Sequence, residues 1–215
     1  MAARAKRKTS ARSRPSKSRS TARRRRTTAK RGSARQAQSG FSFGAMAKKL
    51  GDAAKEMVQK ATQQPAANDA TQLLEQDHRE VEGMLDQFEQ ADDAGTKADL
   101  ADKICLALTV HTEIEEKIFY PRARKGIDDE DLLDEAEVEH ASAKQLIAEI
   151  QKMTPRDRLF DAKVKVLGEY VKHHVKEEEN ELFPKVRDSG MDLAKIAEEL
   201  TEAKMSLLKK ASRKA

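Results

Sequence analysis

Two stretches of the chain set a glutamate four residues after a histidine, a pair suited to chelation. The first reads His111-Thr-Glu-Ile-Glu115-Glu-Lys-Ile-Phe-Tyr-Pro121 and the second His174-Val-Lys-Glu-Glu178-Glu-Asn-Glu-Leu-Phe-Pro184. In each, an aromatic follows the histidine by nine residues and a proline by ten. Residues four apart stack on one helix face, so each copy presents an imidazole and a carboxylate side by side. Imidazole with carboxylate and no thiolate suits iron, manganese or zinc rather than copper(I) or an iron–sulfur cluster.

The helices that must carry these pairs are legible from apolar spacing. Ile104 and Leu108 lead into His111 and Glu115 and the seam is expected to resume at Ile118. Phe160, Val164, Leu167 and Val171 lead into His174 and Glu178, then Leu182. Steps of three and four mark the buried seam of a bundle helix. Two more histidines obey the same rule: Leu74, His78, Val81, Leu85 and Phe88 form one seam, and Leu133, Ala136, His140, Ala143, Ile147 and Ile150 another. Of five histidines, only His173 falls off a seam, about 100° around the helix from His174. The intervals match as well, 33 residues from His78 to His111 and 34 from His140 to His174, which predicts two similar hairpins related by a pseudo-twofold.

Four imidazoles and two carboxylates buried without partners cost several kcal/mol each or shift their pKa values strongly, and bound cations remove that cost. Six donors exceed one tetrahedral zinc, whereas two irons sharing the two glutamates as bridges use them all. Glu137, three residues before His140, looks like half of a ferritin-type pair and reads as surface or supporting. Glu116, Glu177 and Glu179, beside the pairs, read mostly as solvated, and Tyr120 and Tyr170 lie near the seams. Cys105 reads as core.

The chain of 215 residues is 37% charged and 4% aromatic, without tryptophan, which favours long solvated helices over strands. No apolar run approaches the 18 residues of a membrane span. The single cysteine excludes an internal disulfide and leans towards a reducing compartment. A net charge of +5 hides a division: residues 1–40 hold 15 of the 42 Lys and Arg and no acid, leaving 27 bases against 37 acids, or −10, in the rest. Residues 1–40 contain nothing apolar larger than Ala after Met1, so they are expected to be disordered, and without an apolar core they are not a secretory signal.

The expected architecture is all-α: a four-helix up-down bundle with a disordered basic arm and extra flanking helices. Residues 1–40 form the arm, 41–66 an amphipathic helix and linker, 67–188 the bundle and 189–215 a C-terminal helix with a basic end. The first bundle helix is expected from Asn68 or Asp69 to Gln90, and the second from an N-cap at Thr96 to about Gly126. The third opens at Asp128-x-x-Asp131 and closes near Met153, and Thr154-Pro155-x-Asp157 caps the fourth, which runs to about Val186.

Asp77-His78, His111-x-x-x-Glu115-Glu116 with Phe119-Tyr120-Pro121, Glu139-His140, and His173-His174-x-x-x-Glu178-Glu179 with Leu182-Phe183-Pro184 together resemble the hemerythrin-like, HHE cation-binding family over residues 70–187. The resemblance implies a non-haem di-iron centre, oxo- or hydroxo-bridged, with Glu115 and Glu178 as bridges and His78, His111, His140 and His174 as terminal ligands. Manganese or zinc are the alternative ions. Oxygen-carrying hemerythrins place a second histidine where this chain has Lys144, and an aspartate five residues after the last histidine where this chain has Glu178 at four. Those departures argue against reversible oxygen carriage.

The functional expectation is therefore a cytoplasmic metal-binding protein that binds or senses dioxygen, peroxide or nitric oxide in oxidative stress. Two rivals stay open: a nucleoid-associated, polyanion-binding protein with a structural or storage metal, and a peroxide-consuming enzyme. The run Arg23-Arg24-Arg25-Arg26 resembles the tails of histone-like proteins, which hold phosphates without reading bases. The flanking helices offer surfaces for self-association.

Overall fold

A computed structural model describes residues 43–63 and 67–213, with side chains from residue 48 onward. The expectations for the basic arm at 1–40 lie outside the described residues. Within them every regular element is helical. Helix α1 spans Phe43–Gln63, α2 Ala70–Gln90 and α3 Ala94–Ile114. A π-helical turn at Glu115–Phe119 continues α3 into α4, Tyr120–Gly126. Helix α5 spans Glu130–Ile150 and α6 Phe160–Glu177, and a second π-turn at Glu178–Leu182 leads into α7, Phe183–Asp188. Helix α8, Leu193–Arg213, closes the chain.

Helices α2, α3, α5 and α6 form the four-helix bundle. Each hairpin partner packs on the other, α2 on α3 and α5 on α6, and the hairpins meet through α2–α6 and α3–α5 contacts. Helix α1 lies on α3 and α8, and α8 in turn packs on α2 and α3. The amphipathic helix expected within residues 41–66 thus packs, in its described part, against the bundle and α8.

Aspartates start three of the four bundle helices. Asp69 accepts from the Gln72 amide at 3.0 Å, Asp93 from Thr96 at 2.9 Å and Asp129 from Leu132 at 3.3 Å, each satisfying an amide that lacks an intrahelical partner. Two starts therefore differ from expectation. Asp93, not Thr96, caps α3, and Ala94 and Gly95 are helical; Asp129 caps α5 in place of Asp128. The third difference is larger. Asp157 folds back to accept the Thr154 amide at 2.7 Å and its hydroxyl at 3.0 Å, closing a turn, and α6 begins only at Phe160. Phe160 is the first residue there with an apolar partner to anchor a helix, its ring 6.0 Å from that of Phe88.

The π-turns explain why the first seam resumes off register. Each begins at a glutamate of a His–Glu pair, and a proline stands six residues later, Pro121 and Pro184. Proline lacks the N–H for an α-helical bond, and its ring crowds the carbonyl four residues back. The widened turn relieves that crowding: Tyr120 N–H donates to the Glu115 carbonyl and Phe183 N–H to that of Glu178. The extra residue rotates the C-terminal part of the helix, so Phe119 and Tyr120 are buried and Ile118 is only half-buried.

Two apolar clusters fill the bundle ends. One contains Val81, Leu85, Phe88, Ile104, Leu108, Ile147, Phe160, Leu167 and Val171, with Leu208 of α8. The other contains Leu74, Ile114, Phe119, Tyr120, Leu133, Leu182, Phe183 and Val186, with Ile196 and Leu200 of α8. Each fully buried Leu, Ile or Phe contributes about 1.5–3 kcal/mol. The clusters meet along α2 between Leu74 and Val81 and along α3 between Val110 and Ile114. The histidines occupy that gap.

Candidate metal centre

His78 on α2, His111 on α3, His140 on α5 and His174 on α6 come to one level of the bundle, with Glu115 and Glu178 opening the two π-turns beside them. All six are buried, and Glu115 is fully enclosed. The Nε2 atoms of His78 and His111 lie 3.2 Å apart, and those of His140 and His174 3.1 Å apart. Each glutamate reaches across both pairs. Glu115 Oε2 is 3.1 Å from His111 and 3.4 Å from His140, and Glu178 Oε2 is 3.3 Å from His78 and 3.5 Å from His174. His173 points outward, 60% exposed, and Glu137 pairs with Arg124 at the surface.

Sequence reasoning missed the acids that hold the imidazoles. His78 Nδ1 meets Glu179 at 2.8 Å, His140 Nδ1 meets Glu116 at 3.2 Å and His174 Nδ1 meets Glu139 at 2.9 Å. Asp77 faces His111 Nδ1 at 3.7 Å, too long for a hydrogen bond. The wiring respects the pseudo-twofold: the acid before each hairpin's first histidine serves its second, and the acid after each π-turn glutamate serves a histidine of the other hairpin. Glu116 and Glu179 are therefore not simply solvated. Their signal was the doubled Glu115-Glu116 and Glu178-Glu179, with Asp77 and Glu139 each preceding a histidine.

Carboxylates that accept from Nδ1 fix the proton there and turn the Nε2 lone pair inward, the arrangement found behind metal-bound histidines. Facing lone pairs 3.1–3.2 Å apart repel unless a cation or a proton stands between them. Both oxygens of Glu115, Oε2 of Glu178 and Nδ1 of His111 are buried without hydrogen-bond partners. Such orphans are rare in native interiors, and an ion is one of the few things that satisfies them.

The protonation pattern shows the same strain. Burial, then the charge of Glu178, pushes the Glu115 carboxyl well above its usual range. Burial acts the same way on Glu178, but His174 and His78 outweigh it and hold that carboxyl low. Burial and the neighbouring His174 push His140 down to about 2. For His174 burial opposes the charged form, yet Glu178 and Glu139 raise its pKa overall. Burial and the charges of Glu115 and Glu178 drive the Tyr120 phenol well up, and the protonated hydroxyl donates to Glu178 Oε1 at 2.9 Å, 3.2 Å from His140 Nε2.

Two donor groups result: His78, His111, Glu115 and Glu178 in one, and Glu115, His140 and His174 in the other, each compact enough to hold an ion. The sequence profile of the hemerythrin HHE cation binding domain matches residues 69–186. The chain belongs to that family. In structure it is similar to a hemerythrin HHE cation binding domain-containing protein from Mycobacterium kansasii, with a TM-score of 0.57 at 16% identity over 66% of this chain and 88% of that one. That likeness shows the hemerythrin-like fold. A curated relative, a DNA nickase from Nostoc sp., is 29% identical over 120 residues, 54% of this chain, and the match spans 33% of the relative's length. Among the described residues no helix is long and apolar enough to cross a membrane.

The remaining candidates fall outside the hemerythrin-like donor set. Lys144, standing where oxygen carriers have a histidine, forms an ion pair with Glu116 and so neutralises the acid behind His140. Tyr170 is 47% exposed at the rim of a cavity of about 30 Å³ lined also by His78, His111, His140 and His174. Cys105 is buried, and burial pushes its thiol up to about 12.

Proposed function

We propose that the bundle holds two ions, iron by preference, with Glu115 and Glu178 each spanning both positions. His78 and His111 serve one ion, and His140 and His174 the other. The observation that carries this reading is the pairing of the Nε2 atoms at 3.2 and 3.1 Å, with each glutamate touching one member of each pair. A bound iron pair would supply redox chemistry and open coordination positions. The protein's own part is to fix the imidazoles of His78, His140 and His174 through Glu179, Glu116 and Glu139, with Asp77 facing His111, to exclude bulk water, and to hold a proton on Tyr120 beside Glu178.

The ligand we infer is a small oxidant: dioxygen, peroxide or nitric oxide. A cavity near 30 Å³ has room for one or two water-sized molecules and nothing larger, and its walls include Val81, Leu108, Val171 and Val175. Peroxide decay and nitric oxide titration on iron-loaded protein test this. Turnover of many equivalents makes it an enzyme, stoichiometric uptake a binder or sensor, and inertness to all three small molecules removes the oxidant reading.

A second reading concerns residues 1–40. Their 15 basic side chains without an acid favour attachment to nucleic acid, and the resemblance to a DNA nickase agrees with it. The remaining residues are acidic, so binding should depend on the arm alone. Deleting residues 1–40 should abolish duplex binding and leave metal content intact, and affinity should fall with salt at a log–log slope near −0.9 per phosphate neutralised. Duplex binding by the truncated protein, or none by the full chain, would remove this reading.

A further inference from the structure

The four acids behind the imidazoles differ in one respect. Asp77 is paired with Lys204, Glu116 with Lys144 and Glu179 with Arg79. Glu139 has no lysine or arginine against it among the described residues. Its Oε2 faces His174 Nδ1, and its Oε1 lies 3.4 Å from Nε2 of the outward His173. The same His173 nitrogen is 3.2 Å from Glu177 Oε1, so a second carboxylate converges where the other three positions have a cationic side chain. The donor atoms of Glu139, His173 and Glu177 all lie within 4.8 Å of one another.

We propose that Glu139, His173 and Glu177 form a further, surface site for a hydrated divalent cation, and that this site feeds the buried centre. One imidazole and two carboxylates on a part-exposed face suit an ion that keeps several waters, such as iron(II), manganese(II) or zinc. His173 and Glu177 share a helix face at the chelating spacing, and Glu139 completes the set from α5. The site has no counterpart in the first hairpin, where Val110 and Ile114 stand at the positions of His173 and Glu177 and both are buried. That asymmetry makes it an addition to the duplicated centre rather than a by-product of the repeat. Glu139 also lines the cavity that opens on His140 and His174, so an ion held there sits one carboxylate away from the buried donors. The feeding role rests on the buried centre proposed above, whereas the surface site does not.

Manganese(II) titration of the iron-loaded full chain, followed by the resonance of free aqueous manganese, tests the site. Wild type should take up one more manganese than His173→Ala or Glu177→Ala, whose affinity should fall at least ~10-fold, as for other lost supporting ligands. His173→Lys, which keeps a cation but not a ligand, should behave like His173→Ala. Retained iron is measured on the same samples. Absent iron in wild type counts against the buried centre, and the difference of one manganese between wild type and variants still reads the surface site. Equal uptake by wild type and all three variants would overturn it. Loading rates of the metal-free protein with iron(II) decide the feeding role: slower loading in His173→Ala at equal final content supports it, and equal rates overturn it.

Discussion

Replacing Lys204 with methionine should destabilise the bundle although Lys204 lies on α8, outside the four central helices. Lys204 and Asp77 form an ion pair with side-chain exposures of only 13% and 8%. Burial alone would raise the Asp77 carboxyl, but its contact with His111 and the charge of Lys204 outweigh burial and lower it. Methionine keeps the apolar stem and leaves Asp77 as a buried anion facing only His111. Breaking a buried pair by removing one partner costs ~3–5 kcal/mol. The residual access of Lys204 to water and the nearby His111 place the expected loss near ~3 kcal/mol, the lower end of that range. Pairing it with Asp77→Asn removes the stranded charge, so the double variant should return to within about 1 kcal/mol of wild type. Urea unfolding of metal-free protein, followed by helical circular dichroism, reads both values provided the denaturant slope is unchanged. Metal affinity of Asp77→Asn alone should also fall about 10- to 100-fold, because Asp77 faces His111. A loss below about 0.5 kcal/mol, the usual range of surface changes, or a double variant less stable than the single, would refute the reasoning.

Further outcomes are expected elsewhere. Chelating the metal should lower the melting temperature clearly, since the six donors then face one another without a cation, and an unchanged Tm after verified removal would contradict their burial around an ion. Cys105, buried and with its thiol pushed up to about 12, should resist alkylation at pH 8 in the folded protein and react only on unfolding; rapid labelling of the native chain would argue against the packing of α3. Gly190 has φ +74 with no atom within 4 Å of an added Cβ. Gly190→Ala should therefore cost about 1–2 kcal/mol from backbone strain alone, measured by thermal or urea unfolding.

How much of this was legible in the sequence depends on whether one helix or several must be known. The inward positions of His78, His111, Glu115, His140, His174 and Glu178 follow from the apolar residues on their own helices, and periodicity carries that. Asp77, Glu116, Glu139 and Glu179 act on histidines of other helices, so their partners depend on inter-helix rotation and could not be read along one seam. The π-turns were hidden for a different reason. A proline six residues after a glutamate admits a kink, a break or a widened turn, and only the packed aromatics Phe119, Tyr120 and Phe183 select the last. Asp93 and Asp129 displaced the expected caps by one to three positions because several capping residues crowd each helix start. Thr154-Pro155-x-Asp157 shows the opposite failure, a sound local start signal with no apolar face behind it until Phe160.

The most direct test of the account is metal analysis with an absorption spectrum on protein from iron-replete cells, set beside Glu115→Ala and Glu178→Ala. Two positions sharing two bridging carboxylates predict about two irons per wild-type chain, with a charge-transfer band of a coupled iron pair, and loss of both irons in either variant. One iron per chain, or a variant that keeps one of the two, would contradict the shared centre.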